Sequence, residues 1–223
     1  MTDILDHSRN PNPRLGVAVA LHVKAPLTFE FAARFDAENA AKFKALNPTQ
    51  LLPILVEDGR RLWEVDAIAC RLSMRMRSDF WRMDAEMPEM IRWIRWAKAN
   101  FMAAVDMVHF EVGTKQRYGL GPVDAAVLVT AGTEKFHRSA AQLADHLAGR
   151  DYLLDSGLSY ADFRMASYLP YNDVAGLPMA EYPAVAEWYA RLAALSHRAD
   201  PFAGLDAPLL SPVPGPSGLG EQG

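Results

Sequence analysis

The strongest pattern in the chain lies in residues 46–76, LNPTQLLPILVEDGRRLWEVDAIACRLSMRM. Two apolar runs, Pro53–Val56 and Arg61–Trp63, flank the dipeptide Asp58-Gly59, which favours the tight turn of a β-hairpin. Residues Glu64–Met76 carry apolar side chains at the spacing of one helical face. This stretch therefore predicts a β-hairpin followed at once by an amphipathic helix.

A proline opens the first strand of this unit. Pro53 has no N–H to donate to a neighbouring strand, so its place at the start of the strand needs a reason. Cis peptide bonds occur mainly before proline in tight turns. A cis bond before Pro53 is one candidate explanation.

The segment upstream predicts strands and helices in alternation. Asp3–His7 (DILDH) and Leu27–Phe31 (LTFEF) predict short strands. Between them a helix is predicted, with Asn12 as its N-cap and Pro13 at its first position, where a missing N–H costs nothing. A second helix is predicted over Glu38–Leu46, ended by the Asn-Pro pair that follows. The order is β-α-β-α-β-β-α.

Beyond Met76 no strand pattern recurs, and four helices are predicted: Met87–Val112, Val123–Leu147, Ser159–Leu169 and Pro183–Leu195. Ser159, with Asp162 three residues later, forms a capping box. The tail is rich in Pro, Gly and Ser and lacks periodicity. The predicted fold class is α/β followed by all-α, with an α/β domain over 1–77, a linker near 77–85, an all-α domain over 85–205 and a disordered tail over 206–223.

Composition narrows the classes of function. The chain has 223 residues, a net charge of −4 and one cysteine. The single cysteine, Cys70, excludes an intramolecular disulfide and a CxxC pair, and we interpret it as a packed thiol. The acidic balance disfavours a dedicated nucleic-acid binder. No signal peptide, membrane span or metal-binding motif is recognised, so we expect a cytoplasmic protein that needs no metal.

Several motifs together resemble those of the cytosolic glutathione S-transferase family. Leu46–Leu55 looks like the family's NPxGxVPxL segment, Leu62–Ile68 like its LxESxAI segment, and Ser159–Phe163 like its capping box. Arg14–Leu21, RLGVAVAL, resembles the family's first helix. The resemblance covers about residues 3–205 and implies a thioredoxin-like N-terminal domain before the all-α domain. It also implies a homodimer and a role in detoxification.

The resemblance implies a glutathione site in the N-terminal domain. The backbone of Leu52, before Pro53, would bind the cysteinyl part of glutathione as an added strand does. Glu64 would face the γ-glutamyl ammonium, and the N–H of Val65 would bind the γ-glutamyl carboxylate at a helix N-terminus. Val65 replaces the family's serine, at an expected cost of about 1–2 kcal/mol in glutathione affinity. Gln50 also replaces the usual glycine.

The residue that would activate the glutathione thiol is left open. In the family a donor at the end of the first strand lowers the pKa of that thiol. Counting back from Arg14, the expected position holds Asn10 or Arg9, and Ser8 is one residue further upstream. Asn10 can donate through its amide and Ser8 through its hydroxyl, but both are also ordinary turn residues.

We therefore expect a transferase that adds the glutathione thiolate to an electrophilic, apolar second substrate. That substrate would bind between the domains near Trp96, Asn100 and Phe101, with Tyr118 as a lid. The alternative is a catalytically weak, transferase-like module for binding or interaction, which Val65 and Gln50 favour. Val65→Ser separates two readings of position 65, an exposed site residue or a core residue.

Overall fold

The computed structural model describes residues 3–32, 43–122 and 125–213. The N-terminal part contains four strands, β1 (Ile4–His7), β2 (Thr28–Phe31), β3 (Ile54–Glu57) and β4 (Arg60–Trp63), with helices α1 (Pro11–His22) and α2 (Val65–Met76). Residues 43–46 are helical, which agrees with the end of the predicted helix 38–46. The rest of that prediction lies outside the described residues.

The four strands form one mixed sheet in the order β2-β1-β3-β4. Strand β1 is parallel to β2, with Ile4 opposite Thr28, and antiparallel to β3, with Leu5 opposite Leu55. The β3–β4 hairpin turns at Asp58 and Gly59, both with positive φ, as predicted from that dipeptide. The peptide bond between Leu52 and Pro53 is cis, which was the candidate explanation for a proline at this position.

Helix α1 begins two residues before the predicted start. Its N-cap is Asn10 and its first residue is Pro11, and the first intrahelical bond runs from the Arg14 N–H to the Asn10 carbonyl at 2.9 Å. The prediction of Asn12 as cap and Pro13 as first residue is therefore wrong. Both prolines fit in the first turn, because N–H groups there have no intrahelical acceptor.

The remainder of the described chain is helical. Its elements are α3 (Met87–Ala99), α4 (Phe101–His109), a π-turn (Phe110–Thr114), α5 (Lys115–Tyr118), a second π-turn (Ala125–Val129), α6 (Thr130–Leu147), α7 (Tyr160–Met165), α8 (Asn172–Ala175), α9 (Pro183–Ala193) and α10 (Ser196–Ala199), with 3₁₀ turns at Leu169–Tyr171 and Met179–Glu181. The architecture confirms the predicted fold class.

Two predicted helices are divided or shortened. The helix predicted over 87–112 breaks at Asn100, where φ is −125° and ψ is −90°, and the Asn100 amide donates to the Trp96 carbonyl at 3.0 Å. Asparagine competes in this way for helix carbonyls, which explains the break. The helix predicted over 159–169 ends at Met165, although its capping box between Ser159 and Asp162 is confirmed.

A single large hydrophobic core runs through both parts of the molecule. It joins residues of α1 and α2 to those of the helical part, with Trp188, Tyr160 and Phe136 among the largest buried side chains. Within the described ranges, no helix is both long and apolar enough to cross a membrane.

The segment 77–86 connects α2 to α3 without a regular helix or strand, as the linker prediction requires. The tail has neither helix nor strand over 206–213, but the Arg117 Nε donates to the Ser211 carbonyl at 2.7 Å. The tail therefore lies against the body as far as Ser211. The domain boundaries at 77, 85 and 205, and disorder further along the tail, stay predictions.

Candidate active site

A cleft lies between the loop that follows β1 and the helices α4 and α7. It has two adjoining cavities of about 250 and 440 Å³. Four residues line both cavities: Asn12, Asp106, Phe110 and Tyr168. The smaller cavity is also lined by Ser8, Asn10, Leu51, Leu52 and His109, and the larger by Lys98, Met102, Ala103, Met107 and Arg164.

Both candidates for thiol activation, Ser8 and Asn10, line the smaller cavity. Ser8 directly follows β1 and is almost fully buried, and the Asn10 Nδ2 donates to the Ser8 Oγ at 3.1 Å. A hydroxyl that accepts one hydrogen bond still has its own proton to donate. The pair can therefore present one O–H and one further N–H to an anion in the cavity.

The N-terminus of α1 reaches the same cavity through Pro11, Asn12 and Pro13. The helix dipole favours negative charge at this end. Two of these three residues lack an N–H, and the Arg14 N–H already bonds the Asn10 carbonyl. The N–H of Asn12 is therefore the one main-chain donor in the first turn that an anion can use.

The loop that carries Leu52 is organised by Asn47, which is almost fully buried. The Asn47 amide donates to the Leu51 carbonyl at 2.8 Å, and its Oδ1 accepts from both the N–H and the hydroxyl of Thr49 at 3.0 and 2.9 Å. Gln50 has φ +57°, a conformation that favours the glycine it replaces. The sequence predicts Asn47 only as part of a helix stop and carries no signal for this positioning role.

Glu64 and Val65 lie at the N-terminus of α2 and line neither cavity of the cleft. Glu64 has φ +69°, a strained conformation of the kind that collects at functional sites. The Val65 side chain is 2% exposed and belongs to the hydrophobic core with Ile68 and Leu72. Val65 can thus offer its backbone N–H, but not its side chain, to a ligand at this helix end.

The residues predicted to contact a second substrate do not line the cleft. Phe101 is fully buried against Phe136, with 5.6 Å between ring centroids, so its assignment to the site is wrong. Trp96 packs at the edge of Trp93, Asn100 forms the helix break, and Tyr118 ends α5, all away from both cavities.

Residues of α4 and of the π-turn after it line the cleft instead: Met102, Ala103, Asp106, Met107 and Phe110. Lys98, Met102 and Asp106 recur every four residues along one face that lines the larger cavity, whereas Phe101 packs against Phe136 on another face.

Asp106 and Tyr168 face each other in the cleft, and the tyrosine hydroxyl donates to the carboxylate. Burial raises the pKa of Asp106, whereas the hydrogen bond from Tyr168 and the nearby charge of Arg164 act to lower it. Burial also raises the pKa of Tyr168 far above neutrality, so this hydroxyl keeps its proton and acts as a donor. Neither residue was predicted from the sequence, because no motif marks them.

Arg164 joins the cleft to α2. Its Nη1 donates to the Asn12 Oδ1 at 2.7 Å, and its Nε lies 2.9 Å from the Asp66 Oδ1. The Tyr160 hydroxyl donates to the same carboxylate oxygen at 2.6 Å. This buried ion pair fixes the N-terminal part against the helical part directly beneath the cleft.

His109 is a further cleft residue without a sequence signal. It is 2% exposed, and its Nε2 has no hydrogen-bond partner within the part of the chain that the structure describes. Burial, with Arg117 nearby, lowers the pKa of His109 to about 4. The imidazole is therefore neutral at pH 7 and contributes a polar, uncharged wall.

The structure supports the expectation that Cys70 is not a nucleophile. Burial raises the pKa of its thiol, and Sγ lies 3.9 Å from the Met74 sulfur on α2, outside the cleft. Over the described ranges, no cluster of three or more His, Cys, Asp or Glu residues could hold a metal ion.

Comparison with known proteins agrees with this architecture. A family model described as glutathione S-transferase, C-terminal domain, matches residues 126–191. A glutathione S-transferase III solved in its apo form is 26% identical over 94% of this chain and 99% of that chain, with a TM-score of 0.76.

Two further structures give the same result. The glutathione transferase F7 from Populus trichocarpa is 18% identical, covering 92% and 99% of the two chains, with a TM-score of 0.82. A glutathione S-transferase from Methylobacillus flagellatus, solved with GSH bound, is 22% identical over 93% and 100%, with a TM-score of 0.75.

These matches define the class: a thioredoxin-like domain followed by a helical domain, in the arrangement of the glutathione transferases. The C-terminal family model matches residues 126–191, and the described chain has the fold of the glutathione transferases.

Proposed function

We propose that this protein is a glutathione S-transferase that joins the glutathione thiolate to an electrophilic, apolar second substrate. The observation that carries the proposal is the smaller cavity, where Ser8, Asn10 and Leu52 meet at the N-terminus of α1. Two hydrogen-bond donors for a thiolate therefore lie in the same cavity as the Leu52 backbone, which can pair with a peptide. The GSH-bound relative from Methylobacillus flagellatus supports the choice of ligand.

In this proposal glutathione binds along the loop before Pro53. Its cysteinyl backbone pairs with Leu52, and its γ-glutamyl group extends to the N-terminus of α2, where the Val65 N–H meets the carboxylate and Glu64 meets the ammonium. Glu64 and Val65 do not line the cavity, so this assignment rests on the family motif and on the strained φ of Glu64.

The chemical step needs a thiolate held next to an electrophile. The thiol loses its proton to water, and the Ser8 hydroxyl and Asn10 amide donate to the sulfur, which favours the charged form. The sulfur then attacks an electrophilic carbon, a C–S bond forms, and the leaving group departs with the electron pair of the bond that breaks. The larger cavity, with Met102, Met107 and Phe110 in its walls, suits an apolar electrophile.

The test combines binding and turnover. We expect millimolar glutathione to raise the melting temperature and the wild-type protein to conjugate 1-chloro-2,4-dinitrobenzene. Ser8→Ala and Asn10→Ala should each lower kcat/KM by about ten-fold or more and shift its pH profile upward, because each removes a donor to the thiolate.

A matched control is Ser73→Ala, which removes a buried hydroxyl on α2, outside the cleft. It should leave kcat/KM unchanged. The proposal is wrong if glutathione neither stabilises the protein nor supports any conjugation above the uncatalysed rate.

One set of observations favours the alternative, a catalytically weak, transferase-like binding module. Val65 offers no hydroxyl, and Pro11 and Pro13 remove two N–H groups from the helix end beside the thiol. Both features weaken binding of an anion. Glutathione binding with unchanged thiol pKa and no turnover would support this alternative over catalysis.

We also propose the homodimer that the resemblance implies, built on α2 and α3. Met74, Met83, Met87 and Ile91 are exposed apolar side chains in this region. The outward face of α2 would then be buried or paired across the dimer axis, and its Arg71 and Arg75 bond Glu57 and Asp3 of the same chain at 2.6 Å each. Light scattering at micromolar concentration should give twice the chain mass, and Ile91→Glu should give the monomer. A cytoplasmic location and a role in detoxification remain part of the same proposal.

A further inference from the structure

One carboxylate lies where the two cavities of the cleft adjoin. Asp106 lines both the smaller and the larger cavity, as do Asn12, Phe110 and Tyr168. It is the only acidic residue of these four. The proposed conjugation gives Asp106 no role, although it lies where a second substrate would approach the sulfur of glutathione.

The other charged side chains that line the cleft have counter-ions. The Arg164 Nε lies 2.9 Å and the Lys98 Nζ 3.5 Å from the carboxylate of Asp66. Glu111 accepts a hydrogen bond from the Lys115 Nζ at 2.7 Å. The charges of these residues are therefore at least partly compensated within the protein.

Asp106 differs, because no basic side chain among the described residues lies within 4 Å of its carboxylate. Its hydrogen-bond partner is the Tyr168 hydroxyl, which stays protonated and neutral. Arg164 is near enough to lower the pKa of Asp106, but its guanidinium group is engaged with Asp66 and Asn12. A partly buried carboxylate without a counter-ion is costly, so a cation that enters the cleft is stabilised here.

Two aromatic rings border the same junction. Phe110 and Tyr168 line both cavities, and the Phe110 side chain is 40% exposed. The face of an aromatic ring attracts a cation, and quaternary ammonium groups are bound in this way. Asp106, Phe110 and Tyr168 therefore combine a negative charge with aromatic surface, which suits an ammonium group attached to an apolar molecule.

Glutathione would bring a second negative charge to this junction. Ser8 and Asn10, the proposed donors to the thiolate, line the smaller cavity together with Asp106. Two negative charges in one cleft repel each other and disfavour the charged forms of both groups. A cationic group bound between them reduces this repulsion, so the cleft favours a cationic second substrate more strongly when the thiolate is present.

We propose that Asp106 determines the specificity of the second-substrate site by selecting apolar electrophiles that carry a cationic group. The cation lies against the Asp106 carboxylate and the rings of Phe110 and Tyr168, and the apolar part lies against Met102 and Met107. This assignment rests on the proposed transferase function and narrows its second substrate to a chemical class. The bond changes stay the same: a C–S bond forms, and the leaving group departs with its electron pair.

Three amides of 4-chloro-3,5-dinitrobenzoic acid test the proposal, because they share one reactive carbon and differ in charge. Their N-substituents are 2-trimethylammonioethyl, 3,3-dimethylbutyl and 2-sulfoethyl, which are cationic, neutral and anionic. Each kcat/KM is divided by the uncatalysed rate constant of the same amide. For the wild type we expect this quotient to be about ten-fold higher for the cationic than for the neutral amide, and about ten-fold lower for the anionic one.

Asp106→Asn should lower the ratio between the cationic and neutral amides from about ten to about two, because it removes the charge and keeps the size of the side chain. Glu134→Gln, which removes an exposed carboxylate on α6 outside the cleft, is the matched control and should keep the wild-type ratio. Phe110→Leu is a second variant, at a partly exposed position. It should lower the ratio by about two- to five-fold, since it removes a ring but keeps an apolar side chain.

Binding without turnover separates this proposal from the proposed transferase function. The same amides with hydrogen in place of chlorine have no leaving group, and calorimetric titration gives their dissociation constants. We expect the cationic analogue to bind about ten-fold more tightly than the neutral analogue. Asp106→Asn should remove most of this difference, whether or not the chlorinated amides are conjugated.

The outcomes that overturn the proposal are distinct. Equal values for the cationic and neutral compounds, in turnover and in binding, would mean that the cleft does not select by charge. A preference for the cation that persists in Asp106→Asn would assign it to another acidic residue. Preferential binding of the cationic analogue without conjugation of any amide would support the cation site and contradict the transferase function.

Discussion

At the scale of single residues, position 65 shows how one side chain can be assigned in two ways. The motif places Val65 where the family has a serine, yet its side chain is buried in the core. The N–H and the side chain of one residue therefore serve different purposes. The backbone can still meet a ligand at the helix end, while the isopropyl group packs on Ile68 and Leu72.

Val65→Ser should consequently lower the free energy of unfolding by about 2 kcal/mol, because buried methyl groups are lost and a hydroxyl is buried. Urea unfolding measures this change. Val65→Ala is the matched control, because alanine is similar in size to serine but has no hydroxyl. If Val65→Ser bound glutathione more tightly than Val65→Ala and kept the stability of the wild type, residue 65 would be an exposed site residue, as the motif predicts, and not a core residue.

His7 is a second residue whose environment determines its role. It is fully buried among Phe29, Phe31 and Phe202, and neither ring nitrogen has a hydrogen-bond partner over the described ranges. Burial lowers the pKa of His7 to about 4, below its value in the unfolded chain. The unfolded state therefore binds more protons between pH 6.5 and 4, and stability falls as the pH falls through that window.

At pH 5 this one histidine should account for about 2 kcal/mol of lost stability. His7→Leu removes the titrating group, so the difference in unfolding free energy between pH 7 and pH 5 should shrink by that amount. Urea unfolding at both pH values measures it. Identical pH dependence in the variant and the wild type would show that His7 is protonated without cost in the folded protein.

At the scale of elements, the contact between α4 and α6 depends on a glycine. A Cβ at Gly132 would lie 2.7 Å from the Val108 Cγ2 and 3.4 Å from the Ala104 carbonyl oxygen. Val108 is buried in the core and cannot move aside freely. The absence of a side chain at Gly132 therefore sets how closely these two helices approach, although glycine lowers the intrinsic stability of α6.

Gly132→Ala gains about 1 kcal/mol of helix propensity and loses about 1–3 kcal/mol to overpacking. We expect a net destabilisation of about 1 kcal/mol. The double variant with Val108→Ala should recover part of the loss relative to the sum of the single changes, since the clashing methyl is gone. Strict additivity in thermal unfolding would show that the two residues do not meet.

At the scale of the whole molecule, the two parts are joined by Asp66, Tyr160 and Arg164. These residues come from α2 and α7, ninety or more positions apart, and the pair between Arg164 and Asp66 is 2.9 Å long. Arg164 is almost fully buried and also orients Asn12 in the cleft. Stability and cleft geometry are therefore coupled through one carboxylate.

Asp66→Asn should lower the free energy of unfolding by about 3 kcal/mol, because it leaves the buried Arg164 charge without its counter-ion. Lys98→Gln, which removes an exposed partner of the same carboxylate at 3.5 Å, is the matched control and should cost less than about 0.5 kcal/mol. Similar small effects of both variants in chemical unfolding would contradict the structural role of the pair.

The local patterns of the sequence by themselves determined the strands, the Asp58-Gly59 turn, the capping box at Ser159 and the order of elements. Such features depend on interactions within about four residues, so spacing and residue type reveal them. The resemblance to the family likewise assigned Ser8, Asn10 and Leu52 to one site, and these three residues line the same cavity. Their positions follow from where β1, α1 and β3 begin and end.

Only the tertiary structure decided which side chains face that site. Trp96 and Phe101 pack on Trp93 and Phe136, and Met102, Asp106 and Phe110 line the cleft in their place. A further cavity outside the cleft is lined by residues from both ends of the chain, from Arg9 to Leu210. The physical reason is that such contacts join residues distant along the chain, and packing, not periodicity, selects which of several possible faces turns inward.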